Sequence, residues 1–163
     1  MKKVRKVISL MLVAAFIIGM LPGFQVKAAD EAKHLEVLFT HDTHSHLNSY
    51  STIVDGKQEE VGGFARLKTL IDEQKAKNPD TLYLDGGDFA MGTLIQTVYE
   101  TEAAELRMLG YLGCDVTTLG NHEFDYRSSG LANMLNTAKA SGETIPALVV
   151  CNVDWEAMEK AGL

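Results

Sequence analysis

Cysteine is scarce: Cys114 and Cys151 are the only two in 163 residues. Two thiols permit one disulfide but no framework of cross-links, and no zinc-type cysteine pair occurs. Each flanks an apolar run that reads as a buried strand, so both are expected to be free thiols in apolar surroundings. Internal repeats and low-complexity stretches are also missing, which excludes repeat arrays and tail-like segments. The apolar run from Val7 to Leu21 falls short of the ~20 residues that a membrane-crossing helix needs. Histidine occupies five positions, and none lies beyond His122.

What is present divides at residue 28. Lys2, Lys3, Arg5 and Lys6 form a basic head, Val7–Leu21 an apolar centre, and Pro22-Gly23 a helix break. Val26-Lys27-Ala28 then offers small residues where a signal peptidase reads them. This order is that of a secretory signal peptide, expected to be cleaved after Ala28, against the alternative of a retained anchor. The organisation is therefore 1–28 signal peptide and 29–163 folded region. The expected location is secreted, periplasmic or at the cell surface, with no stable membrane insertion after cleavage. Hydrophobic residues at 46% and charged residues at 23% suit a folded domain.

Cations are few once the leader is set aside. Residues 1–28 carry five basic side chains and no acidic one, leaving ten basic against 22 acidic residues, a net charge of −12. Such a surface excludes nucleic-acid polymers and anionic membranes as natural partners. It also repels phosphate, unless bound cations reverse the sign locally.

Residues 36–40 read as a β-strand ending at His41-Asp42, followed by a polar surface loop over 48–60. Helical spacing runs from Gly63 through Lys77, and Asn78-Pro79-Asp80 stops it. Residues 81–84 form a second strand, 102–112 a second helix, and 115–119 a third strand. A third helix, capped by Ser128 or Ser129, continues to about Ala140, and residues 145–150 lead into a fourth strand. The β-α-β-α-β-α-β order predicts an α/β fold with a largely parallel sheet, in which ligands collect at the carboxyl ends of the strands.

Three strand ends carry candidate chemistry. In His41-Asp42-Thr43-His44-Ser45-His46, Asp42 and His44 are two apart, so an extended chain presents both on one side. Carboxylate oxygen with imidazole nitrogen suits a divalent metal. In Gly86-Gly87-Asp88, glycines admit close approach to a ligand and Asp88 reaches toward it. Asp85 nearby reads instead as a buried, hydrogen-bonded strand residue. In Gly120-Asn121-His122-Glu123-Phe124-Asp125, the Asn121 carbonyl can ligate a metal while His122 addresses substrate. Asp125, three residues on, can fix the His122 tautomer. Taken singly the first two patterns are weak; their order and common placement make the set specific.

The three clusters resemble the motifs of the calcineurin-like metallophosphoesterases, namely Asp-x-His, Gly-Asp and Gly-Asn-His-Glu. Within that superfamily they are most similar to the 5′-nucleotidase branch, which includes UDP-sugar hydrolases and 2′,3′-cyclic-nucleotide phosphodiesterases. The matching residues are Asp42-Thr43-His44-Ser45-His46, Gly62-Gly63-Phe64-Ala65-Arg66, Gly87-Asp88-Phe89-Ala90-Met91-Gly92-Thr93 and the hexapeptide from Gly120. The resemblance implies a four-layer α/β/β/α domain, of which this chain would be the N-terminal half. It implies two divalent metal ions, drawn from zinc, manganese, magnesium, iron or calcium. Asp42 and His44 would bind the first, Asp88 would bridge both, and Asn121 would bind the second. His122 and Asp125 would be the catalytic pair, with His46 supporting the ligands from behind. The implied reaction is hydrolysis of a nucleotide or another small phosphoester by hydroxide held between the metals.

Family members also carry two further histidine-bearing motifs and a C-terminal domain that recognises the nucleotide base. This sequence shows neither, so it is expected to be truncated, to need the missing half to complete the site, and to be inactive alone. A noncatalytic metal- or nucleotide-binding remnant is the alternative.

Overall fold

The computed structural model describes residues 35–160, so the signal peptide expected over 1–28 lies outside the described residues. Four strands form one parallel sheet: β1 (Val37–Thr40), β4 (Leu82–Asp85), β5 (Val116–Thr117) and β6 (Ala147–Leu148), in the spatial order β1-β4-β5-β6. Between them run α1 (Phe64–Lys77), α2 (Tyr99–Glu102), α3 (Ala104–Leu112) and α4 (Arg127–Ala140); α5 (Trp155–Lys160) follows. Each new strand adds on the same side of the last. Right-handed crossovers therefore put the connecting helices on one face of the sheet.

Side-chain alternation sorts the two faces. Leu38 is paired with Tyr83, and both turn toward the helices, where Tyr83 is fully buried. It meets Ile71 of α1, Leu106, Leu109 and Leu112 of α3, and Leu131, Met134 and Ala138 of α4 in a single apolar core. Val37 and Leu82, and Phe39 and Leu84, are the alternate register pairs and so point the other way. That face is open: Phe39 is 61% exposed and Val37 45%. The α/β class with a parallel sheet stands, as one sheet with helices on one face. Among the described residues the only other sheet is a two-stranded hairpin.

Several boundaries differ from the sequence expectation. The stretch expected as loop, 48–60, contains an antiparallel hairpin, β2 (Tyr50–Val54) with β3 (Lys57–Val61). Asp55-Gly56 turns it, with φ of 50° and 77°, the left-handed pair that such a two-residue turn requires. β3 is polar, and β2 (Tyr50-Ser51-Thr52-Ile53-Val54) is exposed despite its apolar residues, so no apolar alternation announced the hairpin. The helix expected over 102–112 breaks at Ala103, which is left-handed at φ 48°. Neither Ser128 nor Ser129 caps α4; the helix starts at Arg127 and both serines lie in its first turn. β5 and β6 are two residues each, shorter than expected.

The cysteines also divide. Cys114 is buried and free as expected, whereas Cys151 is exposed, because the chain leaves the sheet two residues before it. Burial pushes the Cys114 thiol up to about 12, with the Asp85 charge adding to the effect. An alkylating reagent at neutral pH should therefore modify Cys151 and spare Cys114 until denaturant is added. Equal labelling rates in the native protein would contradict this packing.

Candidate metal-phosphate site

The loops after β1, β4 and β5 converge at the carboxyl edge of the sheet, and main-chain bonds join the first two. Asp42 N–H donates to Gly87 O (3.0 Å), His44 N–H to Asp88 O (3.0 Å) and Ser45 N–H to Phe89 O (2.8 Å). Asp42, His44 and Asp88 all hold left-handed backbone conformations, with φ of 52°, 44° and 53°. Such conformations are uncommon outside glycine and concentrate where geometry serves a site. Behind the first loop, Ser45 Oγ donates to the buried Glu105 carboxylate of α3 (2.7 Å).

Three of the expected ligands come together. One donor atom each from Asp42, His44 and Asp88 lies within 4.8 Å of the others. His44 Nδ1 faces two carbonyl oxygens, Ala90 O at 3.3 Å and Met91 O at 3.2 Å. Carbonyls only accept, so Nδ1 is the donor, which leaves Nε2 as the nitrogen a metal would use. That Nε2 is 3.7 Å from Asp42 Oδ1. Two carboxylate oxygens and one imidazole nitrogen thus share a small volume, a donor set that fits a divalent cation.

The Asp42 carboxyl is held below its ordinary value, first by its hydrogen bond to His41 and also by the charges of His41 and His44. His41 was absent from the sequence-based set, and nothing but adjacency pointed to it. His46, by contrast, is exposed; its Nδ1 contacts Thr43 O (3.2 Å), and it stands outside the donor cluster.

Asn121 begins a 3₁₀ turn at 122–124, exposed beside the cluster. The His122 ring meets the His44 ring edge-on, with centroids 5.1 Å apart, and its Nδ1 donates to Asp125 Oδ2 at 2.9 Å. His122 N–H also donates to Asp88 Oδ1 (2.9 Å). The Asp125 bond raises His122 above its ordinary value of 6.5, with the Asp125, Asp88 and Glu123 charges adding. A raised histidine stabilises the fold fully below its unfolded value, and that share is lost as pH rises through the folded value. In the metal-free protein, Asp125→Asn should move the His122 ring titration to lower pH by NMR. An unmoved midpoint would contradict the pairing.

Glu123 is the residue that sequence reasoning missed most completely. Its side chain is fully buried and accepts three backbone N–H groups: Asp88 (3.0 Å) and Gly120 (2.6 Å) on Oε2, and Ala90 (3.0 Å) on Oε1. Burial raises its carboxyl, against the lowering effect of those bonds. Its place inside the Gly120–Asp125 motif was the available signal, but a glutamate in a loop reads as solvent-facing.

Residues 35–155 match the family model of the calcineurin-like phosphoesterases. The chain belongs to that family. Mouse 5′-nucleotidase is 40% identical over 111 residues, which are 66% of this chain and 19% of that protein. A probable 5′-nucleotidase of Treponema pallidum is 35% identical over 106 residues, 63% of this chain and 18% of that protein. The 5′-nucleotidase precursor of Thermus thermophilus superposes with a TM-score of 0.64 at 34% identity, covering 75% of this chain and 23% of that one. The NAD nucleotidase of Haemophilus influenzae does so at 0.56 and 31%, covering 63% and 19%. The chain spans about a fifth of the length of the curated relatives it matches.

The family is one of phosphoester hydrolases and implies divalent metals, for which Asp42, His44 and Asp88 of this chain are a possible ligand group. Among the described residues, no helix is long and apolar enough to cross a membrane.

Proposed function

We propose that this segment is the amino-terminal share of the two-metal centre of an exported phosphohydrolase of 5′-nucleotidase type. The observation that carries the reading is the meeting of Asp42, His44 and Asp88 donor atoms beside the His122–Asp125 pair. Asp42 and His44 would hold one cation, Asp88 both, and Asn121 the second. Bound there, the cations supply Lewis-acid polarisation of the phosphoryl oxygens and acidify an attacking water. An imidazole among carboxylates favours zinc, iron or manganese over calcium and magnesium.

The chain's own groups do the rest. Asp125 holds the His122 Nδ1 proton, so Nε2 is the nitrogen left for substrate. Raised by Asp125, His122 keeps its proton to higher pH than an ordinary imidazole, which suits it to stabilise charge on the phosphoryl group and to protonate the leaving oxygen. The substrate is proposed to be a nucleotide, in keeping with the names of the relatives.

Asp42, His44, Asp88 and Asn121 are four protein donors, too few to enclose two cations, so donors from outside residues 35–160 complete the centre. The expectation is that the 163 residues alone release phosphate from AMP only at background rate. Turnover at ~1 s⁻¹ or faster would show that the donors here suffice. In a polypeptide joining this segment to the remaining donors, His122→Asn should lower AMP, UDP-sugar or cyclic-nucleotide hydrolysis by about 100-fold or more. Full activity in that variant would end the proposed role of His122.

Export is proposed from the residue order of the leader alone. Finding the mature chain in the culture fluid or periplasm, beginning at Ala29, would test it.

A further inference from the structure

We propose that Glu123 is a positioning residue that sets the spacing between Asp88 and the Asn121–His122 turn, and through it the geometry in which a cation is held. The inference rests on the metal-site reading above and extends it to a side chain that touches none of the donor atoms.

A fully buried carboxylate is costly unless it is paired or hydrogen-bonded. Among the described residues no lysine or arginine pairs with Glu123. Its charge is met by the amides of Asp88, Ala90 and Gly120, which belong to two different loops. The clasp is reciprocal: Glu123 accepts the Asp88 N–H, while Asp88 Oδ1 accepts the His122 N–H. Tyr99 fixes the turn from behind, its hydroxyl donating to Glu123 O at 2.8 Å.

The loops are also in contact at their glycines. A Cβ on Gly120 would stand 2.0 Å from Asp88 Oδ1, and one on Gly87 would stand 2.6 Å from Gly120 N. The first loop already rides on the second through the bonds from Asp42, His44 and Ser45. Glu123 thus locks the third loop to the other two, together with the bond from His122 N–H to Asp88 Oδ1. Loss of its carboxylate frees Asp88 to move against Asn121 and His122, with Asp42 and His44 following Asp88.

The test uses the 163-residue chain with Co²⁺ as probe, followed by calorimetry and by the visible absorption that reports coordination geometry. Glu123→Gln keeps the shape but turns an N–H₂ toward an amide donor, and should weaken Co²⁺ about 10-fold. Glu123→Ala removes the three bonds that its carboxylate accepts and should weaken it about 100-fold, with a changed spectrum in both variants. Folding is checked by circular dichroism. Folded variants that bind Co²⁺ with wild-type affinity and spectrum overturn the positioning role, whatever their melting temperature.

Absence of Co²⁺ binding by the wild-type chain overturns the metal-site reading, and this inference with it. Should neither variant fold, hydrogen exchange of the wild-type protein decides. Zn²⁺ should slow exchange at the Asp88, Ala90 and Gly120 amides together, and unchanged exchange there with Zn²⁺ bound overturns the inference.

Discussion

Asp85→Ala should cost about 3 to 5 kcal/mol of folding stability. The side chain is 4% exposed at the end of the central strand β4. Its oxygens accept from Thr40 Oγ1 of β1 (2.7 Å), Thr117 Oγ1 of β5 (2.9 Å) and the Gly87 amide (3.0 Å). One carboxylate therefore ties three neighbouring strands and starts the loop that carries Asp88. Alanine would leave the Gly87 amide without its acceptor and take from Thr40 and Thr117 the carboxylate each donates to. Only Tyr83 OH (2.9 Å) and Thr118 O (3.3 Å) then stand beside those two hydroxyls, and each lost partner carries its own desolvation cost. Asp85→Asn should cost less, since it retains one acceptor oxygen. Urea unfolding checks both; a loss below about 1 kcal/mol for the alanine variant would contradict this role.

The second large effect is on metal-dependent stability. Asp42 and Asp88 bring two carboxylates to within 4.8 Å of each other, an arrangement that repels itself without a cation. A divalent metal should therefore raise the melting temperature, by the equivalent of about 2.7 kcal/mol when present at a hundred times its dissociation constant. Asp88→Asn should remove nearly all of that gain. It should also leave the metal-free protein as stable as wild type or slightly more so, because one of the repelling charges is gone. Scanning calorimetry with and without Zn²⁺ separates the two statements. An equal Zn²⁺ shift in wild type and Asp88→Asn would remove Asp88 from the ligand set.

The contrast between Asp85 and Asp88 shows how far the sequence could be read. Both lie in one four-residue stretch, Asp85-Gly86-Gly87-Asp88. Strand position separated them: Asp85 as the last strand residue points to the core, and Asp88 beyond two glycines is free to reach the edge. The α/β class was legible because apolar strands alternate with helical spacing, and the convergence of Asp42, His44 and Asp88 because strand ends share one edge of a parallel sheet. The hairpin was hidden because β3 is polar and β2 lacks apolar alternation, although Asp55-Gly56 marked its turn. Glu123 was hidden because its partners are backbone amides, which have no residue type to recognise. The chain after β1 is not the extended run the spacing assumed, since Asp42, His44 and Ser45 are all left-handed; the turn at His44 and Ser45 sets His46 apart.

The most direct test of the central claim is anomalous X-ray diffraction at the zinc edge from crystals of this protein grown with Zn²⁺. The predicted result is a strong peak within about 2.0–2.2 Å of His44 Nε2 and of carboxylate oxygens of Asp42 and Asp88. That peak should disappear in Asp88→Ala crystals of the same form. A map without density among these three side chains at saturating Zn²⁺, or with zinc only at other surface histidines such as His46, would contradict the claim.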